Sequence, residues 1–295
     1  MFTKVYIFFT LFIVAQLSSA QTVLRYNLVE GDEFTVEQSA HQTITQEIPG
    51  RTQIIVNDLK GTMFFKVTSV TDSLSILEMS FKRFAIKMSS PQLGTMMDID
   101  TDSTTNTEST EFKIFQGMIN KSVTILMKPT GEISEVQNAD VIVNGMIDNL
   151  GIEDPEAISQ MRQELEKEWS ADGLAKSFEQ MTFNYPNTAI KKGETWTNNF
   201  IGKGKVNADN TWTLKESLVD GNSINGDATI SMDLSNPQIS MLLKGTQQTT
   251  LKALPNGFPM SMEVITFASG DATIPQLAGQ IIPTKLESIT TYTLL

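Results

Sequence analysis

The sequence contains no cysteine and only one histidine, His41, in 295 residues. Without thiols it can build no disulfide, thiolate nucleophile, iron–sulfur cluster or cysteine-ligated zinc. One imidazole rules out H-E-x-x-H and every multi-histidine metal site. A Ser–His–Asp arrangement would need His41 as its base, yet His41 sits in a polar strand and no G-x-S-x-G elbow exists anywhere. Positive charge is also scarce: 22 Lys and Arg against 34 Asp and Glu give a net charge of −12, which argues against nucleic acid and anionic membrane surfaces as partners. Gly202-Lys203-Gly204-Lys205 lacks the Walker spacing and a strand-to-helix setting, so it reads as a turn and no cofactor is indicated.

Long apolar runs are absent after the first residues, and those first residues form a targeting signal. Lys4 supplies the positive start, Val5 to Val14 an apolar stretch too short to span a bilayer, and Ser18-Ser19-Ala20 the small residues before a cut. Cleavage after Ala20 would leave Gln21 first, with no lipid-attachment cysteine and no later transmembrane segment. The expected location is therefore periplasmic or extracellular. The expected organisation is a signal peptide at 1–20 and one β-rich domain at 21–295. Within that domain, β halves at 21–137 and 186–295 flank a helical connector at 138–185.

Strand alternation dominates both halves. Leu24, Tyr26 and Leu28 share one face, and after the Gly31-Asp32 turn Phe34 and Val36 start a second strand. Ser39 to Ile48 is polar on both faces and reads as a hairpin arm reaching beyond the core, turned at Pro49-Gly50, with Asn57-Asp58 interrupting the return. Leu77, Met79 and Phe81 alternate in one phase and Phe84, Ile86 and Met88 in the other. A phase flip at Lys82-Arg83 predicts a bulge and strong curvature. Pro91 to Thr110 reads as a loop. Its Asp98, Asp100 and Asp102 are weak calcium candidates, because Ser103 and Ser109 stand where an EF-hand needs Gly and Glu; a solvated acidic loop is the simpler reading. Phe112, Phe115, Met118 and Ile119 fit one side of a short helix, and Pro129-Thr130-Gly131 turns a hairpin.

The connector reads as helix. Val143, Ile147 and Leu150 form one stripe, weakened by Gly145. Asp154-Pro155-Glu156 is a strong helix start, followed by Ile158, Met161, Leu165 and Trp169 at helical spacing. Asp172 is the expected cap of a further helix with Leu174, Phe178 and Met181 inward. The second half then restarts with Gly193-Glu194-Thr195-Trp196-Thr197, matching Gly31-Asp32-Glu33-Phe34-Thr35, and later carries Pro255-Asn256-Gly257 where the first half has Pro129-Thr130-Gly131. This suggests a duplicated topology, or common turn chemistry occurring twice.

The predicted fold class is α+β, mainly β: a large curved antiparallel sheet, a half-open barrel, with a central helical segment packed on one face. Such a sheet either fills its interior or leaves a pocket. Fifteen Met and 16 Phe supply deformable apolar material for either. The opening Tyr26-Asn27-Leu28-Val29-Glu30-Gly31-Asp32, the Pro129-Thr130-Gly131-Glu132-Ile133 hairpin and the Gly193-Glu194-Thr195-Trp196 restart resemble a family of uncharacterised secreted proteins, known mainly from Bacteroidetes-type bacteria and classed as a domain of unknown function. That resemblance implies an exported bacterial protein and carries over no functional residue. The outline also resembles periplasmic lipoprotein-carrier folds, whose half-open barrel holds acyl chains.

The expected role is that of a non-enzymatic envelope protein, structural or protein-interacting, with an envelope protein as partner. The alternative is a protein binding a hydrophobic, lipid-like molecule between sheet and helices, through Ile158, Met161, Leu165, Phe178, Met79 and Phe81. More distant is a carboxylate-dependent hydrolase, for which 34 acids always offer pairs but no pair stands out.

Overall fold

A computed structural model of the chain describes residues 21–105, 107–202, 205–235, 239–274 and 279–295. The expected signal peptide lies outside these residues, as do Lys203, Gly204, Pro237 and Pro275. The first half comprises β1 (Glu33–Ile48), β2 (Arg51–Val70), β3 (Ser75–Ser90), β4 (Gly94–Asp100), α1 (Thr110–Met118), β5 (Ser122–Met127) and β6 (Ile133–Gln137). Helices α2 (Asp140–Asp148), α3 (Pro155–Trp169) and α4 (Ala171–Thr182) follow. The second half is all strand: β7 (Thr195–Ile201), β8 (Asn207–Leu218), β9 (Gly221–Asp233), β10 (Ser240–Ala253), β11 (Pro259–Ile274) and β12 (Gln280–Leu294).

The strands form one curved, unclosed sheet in the order β6-β5-β3-β2-β1-β12-β11-β10-β9-β8-β7, with β4 added beside β3. Every pairing is antiparallel, and β1 joins the halves by pairing with β12 from Val36↔Leu294 to Gln46↔Thr284. The fold is thus α+β, mainly β, as the alternation implies. The curvature has a visible cause in β3. Thr62 pairs with Arg83 and Met63 with Phe81, so Lys82 is the extra residue of a bulge at the predicted phase flip. There the outer edge of β3 also changes partner, from β5 along Ser75–Ser80 to β4 along Ala85–Ser90. In the gap, Phe84 N–H donates to Thr101 Oγ1 at 2.9 Å and Asn120 N–H to the Phe81 carbonyl at 2.9 Å. The bulged backbone is therefore not left unsatisfied.

Four expectations need correction. Ser39 to Val56 is no free arm: β1 and β2 pair from Glu33↔Lys66 to Ile48↔Arg51 and are held in the sheet by β12 and β3. The polar residues misled because Gln42, with Gln38 and Asn57 at the two ends of the stretch, lines a cavity. Asn57-Asp58 does not interrupt β2 either, where they pair with Gln42 and His41. Part of the expected acidic loop is strand β4, whose Asp98 and Asp100 pair with Lys87 and Ala85. The cap of α4 is Ser170, whose side chain accepts from Gly173 N–H; Asp172 lies in the first turn and binds Lys176 instead.

The paired turns seen in the sequence have matching geometry. Gly31 (φ 95°) donates to the Val67 carbonyl and Gly193 (φ 85°) to the Leu214 carbonyl. Asp32 and Glu194 each accept from the N–H three residues before, on Val29 and Lys191. The N-terminal segment runs between the two Pro-x-Gly turns: Tyr26 N–H donates to the Pro129 carbonyl and Asn27 N–H to the Asn256 carbonyl, both at 2.8 Å. Gly257 is obligatory there, since it has φ 83° and any Cβ would sit 2.2 Å from the Arg25 carbonyl oxygen.

Candidate ligand-binding cavity

The concave face of the sheet carries two apolar regions separated by a polar band. On β1 the inward positions read Phe34 and Val36, then Gln38, Ala40 and Gln42, then Ile44, Gln46 and Ile48. The first pair belongs to the main core under the helices; Ile44 and Ile48 pack against a second core built by Ile230, Leu243, Ile282 and Leu286. β12 repeats the pattern, with buried Tyr292, then Thr290 and Ser288, then Leu286 and Ile282.

Helix α4 covers the apolar end. Leu174, Phe178 and Met181 recur at helical spacing and are buried. The helix and its exit also reach both edge strands of the sheet. Glu179 accepts from Ile133 N–H on β6 at 2.9 Å, and the Phe183 and Asn184 carbonyls accept from Asn198 and Trp196 of β7. Burial raises the Glu179 carboxyl above the usual range, and the Ile133 N–H opposes that shift.

Between α3, α4 and the sheet lies a cavity of about 360 Å³. Its sheet wall is Leu59, Gly61, Met63, Phe81, Phe84 and Tyr292, and its helix wall is Phe115, Trp169, Leu174, Phe178 and Met181. Trp169 stands edge-on to Phe81 and Phe84, with ring centroids 5.7 and 6.1 Å away, and Phe84 stacks on Phe115 at 4.6 Å. These rings form an aromatic box with a wall on each layer.

A second cavity of about 470 Å³ adjoins the first, and Gln38, Leu59, Ser177 and Gln180 line both. Here the polar band faces the space: Gln42, Asn57, Gln247, Thr266, Ser288 and Thr290 lie among apolar Ile86, Phe200, Met232 and Leu286. Asn57 Nδ2 donates to Gln42 Oε1 at 3.0 Å, while the buried Asn57 Oδ1 has no partner. Among the described lining residues Glu168 is the only carboxylate and Lys176 the only amine, and Lys176 Nζ lies 2.6 Å from Asp172. Burial pushes the Tyr292 phenol up, so at neutral pH it stays protonated beside Gln38.

Of the residues singled out in the sequence, Phe81 and Phe178 meet in the lining of the first cavity. Met79 is fully buried in the core beside it, and Leu165 is half-buried against that core. Ile158 and Met161 lie half-buried on α3, outside both linings. Trp169, the last of that stripe, reaches the cavity. Gln38, Gln42 and Asn57 escaped the sequence reading. Their signal was a polar run at alternate positions flanked by Phe34, Val36 and Ile44. Asp98, Asp100 and Asp102 each face a cation, Lys87 for the first and Arg83 for the other two. Among the described residues no cluster of three acidic or histidine side chains could hold a metal ion. His41, on the convex face, hydrogen-bonds Asp58 at 2.7 Å. Among the described residues no helix is long and apolar enough to cross a membrane.

Solved structures with a similar outline share little sequence. Lipovitellin, in a structure describing its lipid–protein interactions, is 10% identical with a TM-score of 0.46, over 90% of this chain and 25% of that one. This protein thus spans about a quarter of the lipovitellin chain. DynF, from the dynemicin biosynthesis pathway of Micromonospora chersina, is 5% identical with a TM-score of 0.25, over 92% of this chain and 84% of that one. An outer membrane channel from Pseudomonas putida F1 is 8% identical with a TM-score of 0.25, over 92% of this chain and 98% of that one. No curated protein matches the sequence. A family model does match, over residues 72–256, well over half of the chain, and the protein belongs to that family of unknown function, DUF6263.

Proposed function

We propose that this is an exported, non-enzymatic protein that holds a hydrophobic, lipid-like ligand between its curved sheet and its helices. The observation that carries the reading is the pair of adjoining cavities, about 360 and 470 Å³, on the concave face. Each falls within the range of small-molecule sites, roughly 300–1,000 Å³. A purely structural or protein-interacting role has no need of such space, because leaving apolar walls unfilled forfeits packing energy. The aromatic box adds faces against which hydrocarbon or rings can lie.

Native mass spectrometry of the mature protein purified from its own cell envelope, followed by solvent extraction, tests this. The expected result is a bound mass that organic solvent removes, with the stripped protein then taking up the uncharged dye N-phenyl-1-naphthylamine. A bare mass together with no dye uptake would overturn the reading.

A further inference from the structure

Resting on that reading, we propose that the ligand is an uncharged amphiphile: a hydrocarbon or ring-bearing tail joined to a head that donates and accepts hydrogen bonds without carrying charge. A monoacylglycerol is its simplest probe.

The lining is divided along its length. One end is aromatic, built on Phe84, Trp169 and Phe178. The adjoining space presents the amides of Gln42, Asn57 and Gln247 and the hydroxyls of Thr266, Ser288 and Thr290. A tail matches the first region and a polar head the second. The band is polar yet uncharged. Its side chains offer donors and acceptors in comparable number, the complement of hydroxyl, ester or amide groups.

Two details disfavour an anionic head. Burying a carboxylate or phosphate requires a cation or a dense set of donors. Lys176 is the one amine among the described lining residues, and its charge is already met by Asp172 at 2.6 Å. The unmet polar atom in the lining is also of the wrong kind for an anion. Asn57 spends an amide hydrogen on Gln42 and keeps a buried carbonyl oxygen with no partner. That oxygen needs a donor. A hydroxyl or amide N–H supplies one, whereas an ionised carboxylate has no proton to give. Leaving such an acceptor unmatched is costly, so filling it selects for the head that carries the donor.

The test is competitive displacement of N-phenyl-1-naphthylamine from the delipidated mature protein at neutral pH. Three ligands of one chain length are compared: a monoacylglycerol, the free fatty acid and the lysophosphatidic acid. The monoacylglycerol is expected to displace the dye at about tenfold lower concentration than either anion, as one discriminating buried hydrogen bond implies. If either anion competes as well or better, the neutral head is overturned while the cavity reading stands. If the dye never enters, both fall. Asn57→Leu should weaken the monoacylglycerol about tenfold. Unchanged monoacylglycerol affinity in a folded Asn57→Leu protein would overturn the placement of the head.

Discussion

Gly117 of α1 and Gly145 of α2 meet with nothing between their backbones. A Cβ on Gly117 would sit 2.2 Å from the Gly145 carbonyl oxygen, and one on Gly145 2.3 Å from the Gly117 carbonyl oxygen. In an isolated helix Gly145→Ala would gain about 1 kcal/mol of propensity. Here the added methyl must push two backbones apart, an overpacking cost of about 1–3 kcal/mol that outweighs the gain. Gly145→Ala is therefore expected to lower the melting temperature. It should also loosen α1, whose Phe115 lines the aromatic cavity. Thermal unfolding followed by circular dichroism checks the sign; an unchanged or raised midpoint would contradict it.

That contact also marks where the sequence stops being legible. From sequence Gly145 weakens a helix, because propensity is local and the partner Gly117 lies on another helix. The strands were readable because alternation records a buried face, and the Lys82 bulge because it reverses that alternation. The polar positions Gln38, Gln42 and Asn57 were not, since a side chain facing a half-open cavity has the composition of one facing water. The cavity itself depends on how far a sheet curves and where α4 settles. No local pattern encodes either.

Tyr185 should prove a structural residue rather than a ligand contact. Its buried hydroxyl donates to the Gly257 carbonyl, on the turn that clasps the N-terminal segment, and its ring lies 5.1 Å from that of Tyr26. Tyr185→Phe keeps the ring contact and leaves a buried carbonyl unpaired, a loss of about 1–3 kcal/mol. Urea unfolding of the variant should show a lower midpoint, with dye uptake by the folded protein unaltered.

Acid should weaken the support of the β3 bulge. The Arg83 hydrogen bonds hold the Asp100 carboxyl below its usual range, with the Asp102 N–H and Lys60 helping and desolvation opposing. A carboxyl depressed on folding adds stability above its unfolded value of about 4, and that stability is lost as pH falls through the lower folded value. The pair is about a third exposed, so its worth is about 1 kcal/mol or less. Asp100→Asn should therefore melt below the unsubstituted protein at pH 6, and the gap should narrow towards pH 3. A gap constant across that range would show that Asp100 acts through something other than its charge.

Gly61 offers the sharpest separation of binding from stability. It lies in β2 between Gln38 of β1 and Phe84 of β3, and so where the aromatic space meets the polar band. Other sheet glycines are demanded by their neighbours: a Cβ on Gly226 would strike the Trp212 ring at 2.6 Å, and one on Gly245 the Phe267 carbonyl at 1.8 Å. At Gly61 the nearest atom is the Arg83 carbonyl oxygen at 4.0 Å, so packing does not explain the missing side chain. A strand glycine with room around it fits either the bulge that follows at Thr62/Met63 or a ligand approaching the backbone, and binding separates the two. Gly61→Leu should place its side chain at that junction and reduce dye and ligand affinity by about tenfold or more, equivalent to about 1.4 kcal/mol. The melting temperature should hold or rise, because leucine adds apolar contact in space that is otherwise unfilled and removes a flexible strand residue. Titration of the variant and of the unsubstituted protein with N-phenyl-1-naphthylamine, beside their melting curves, decides the matter. A stable Gly61→Leu protein that binds as before would mean that ligand does not pass this point.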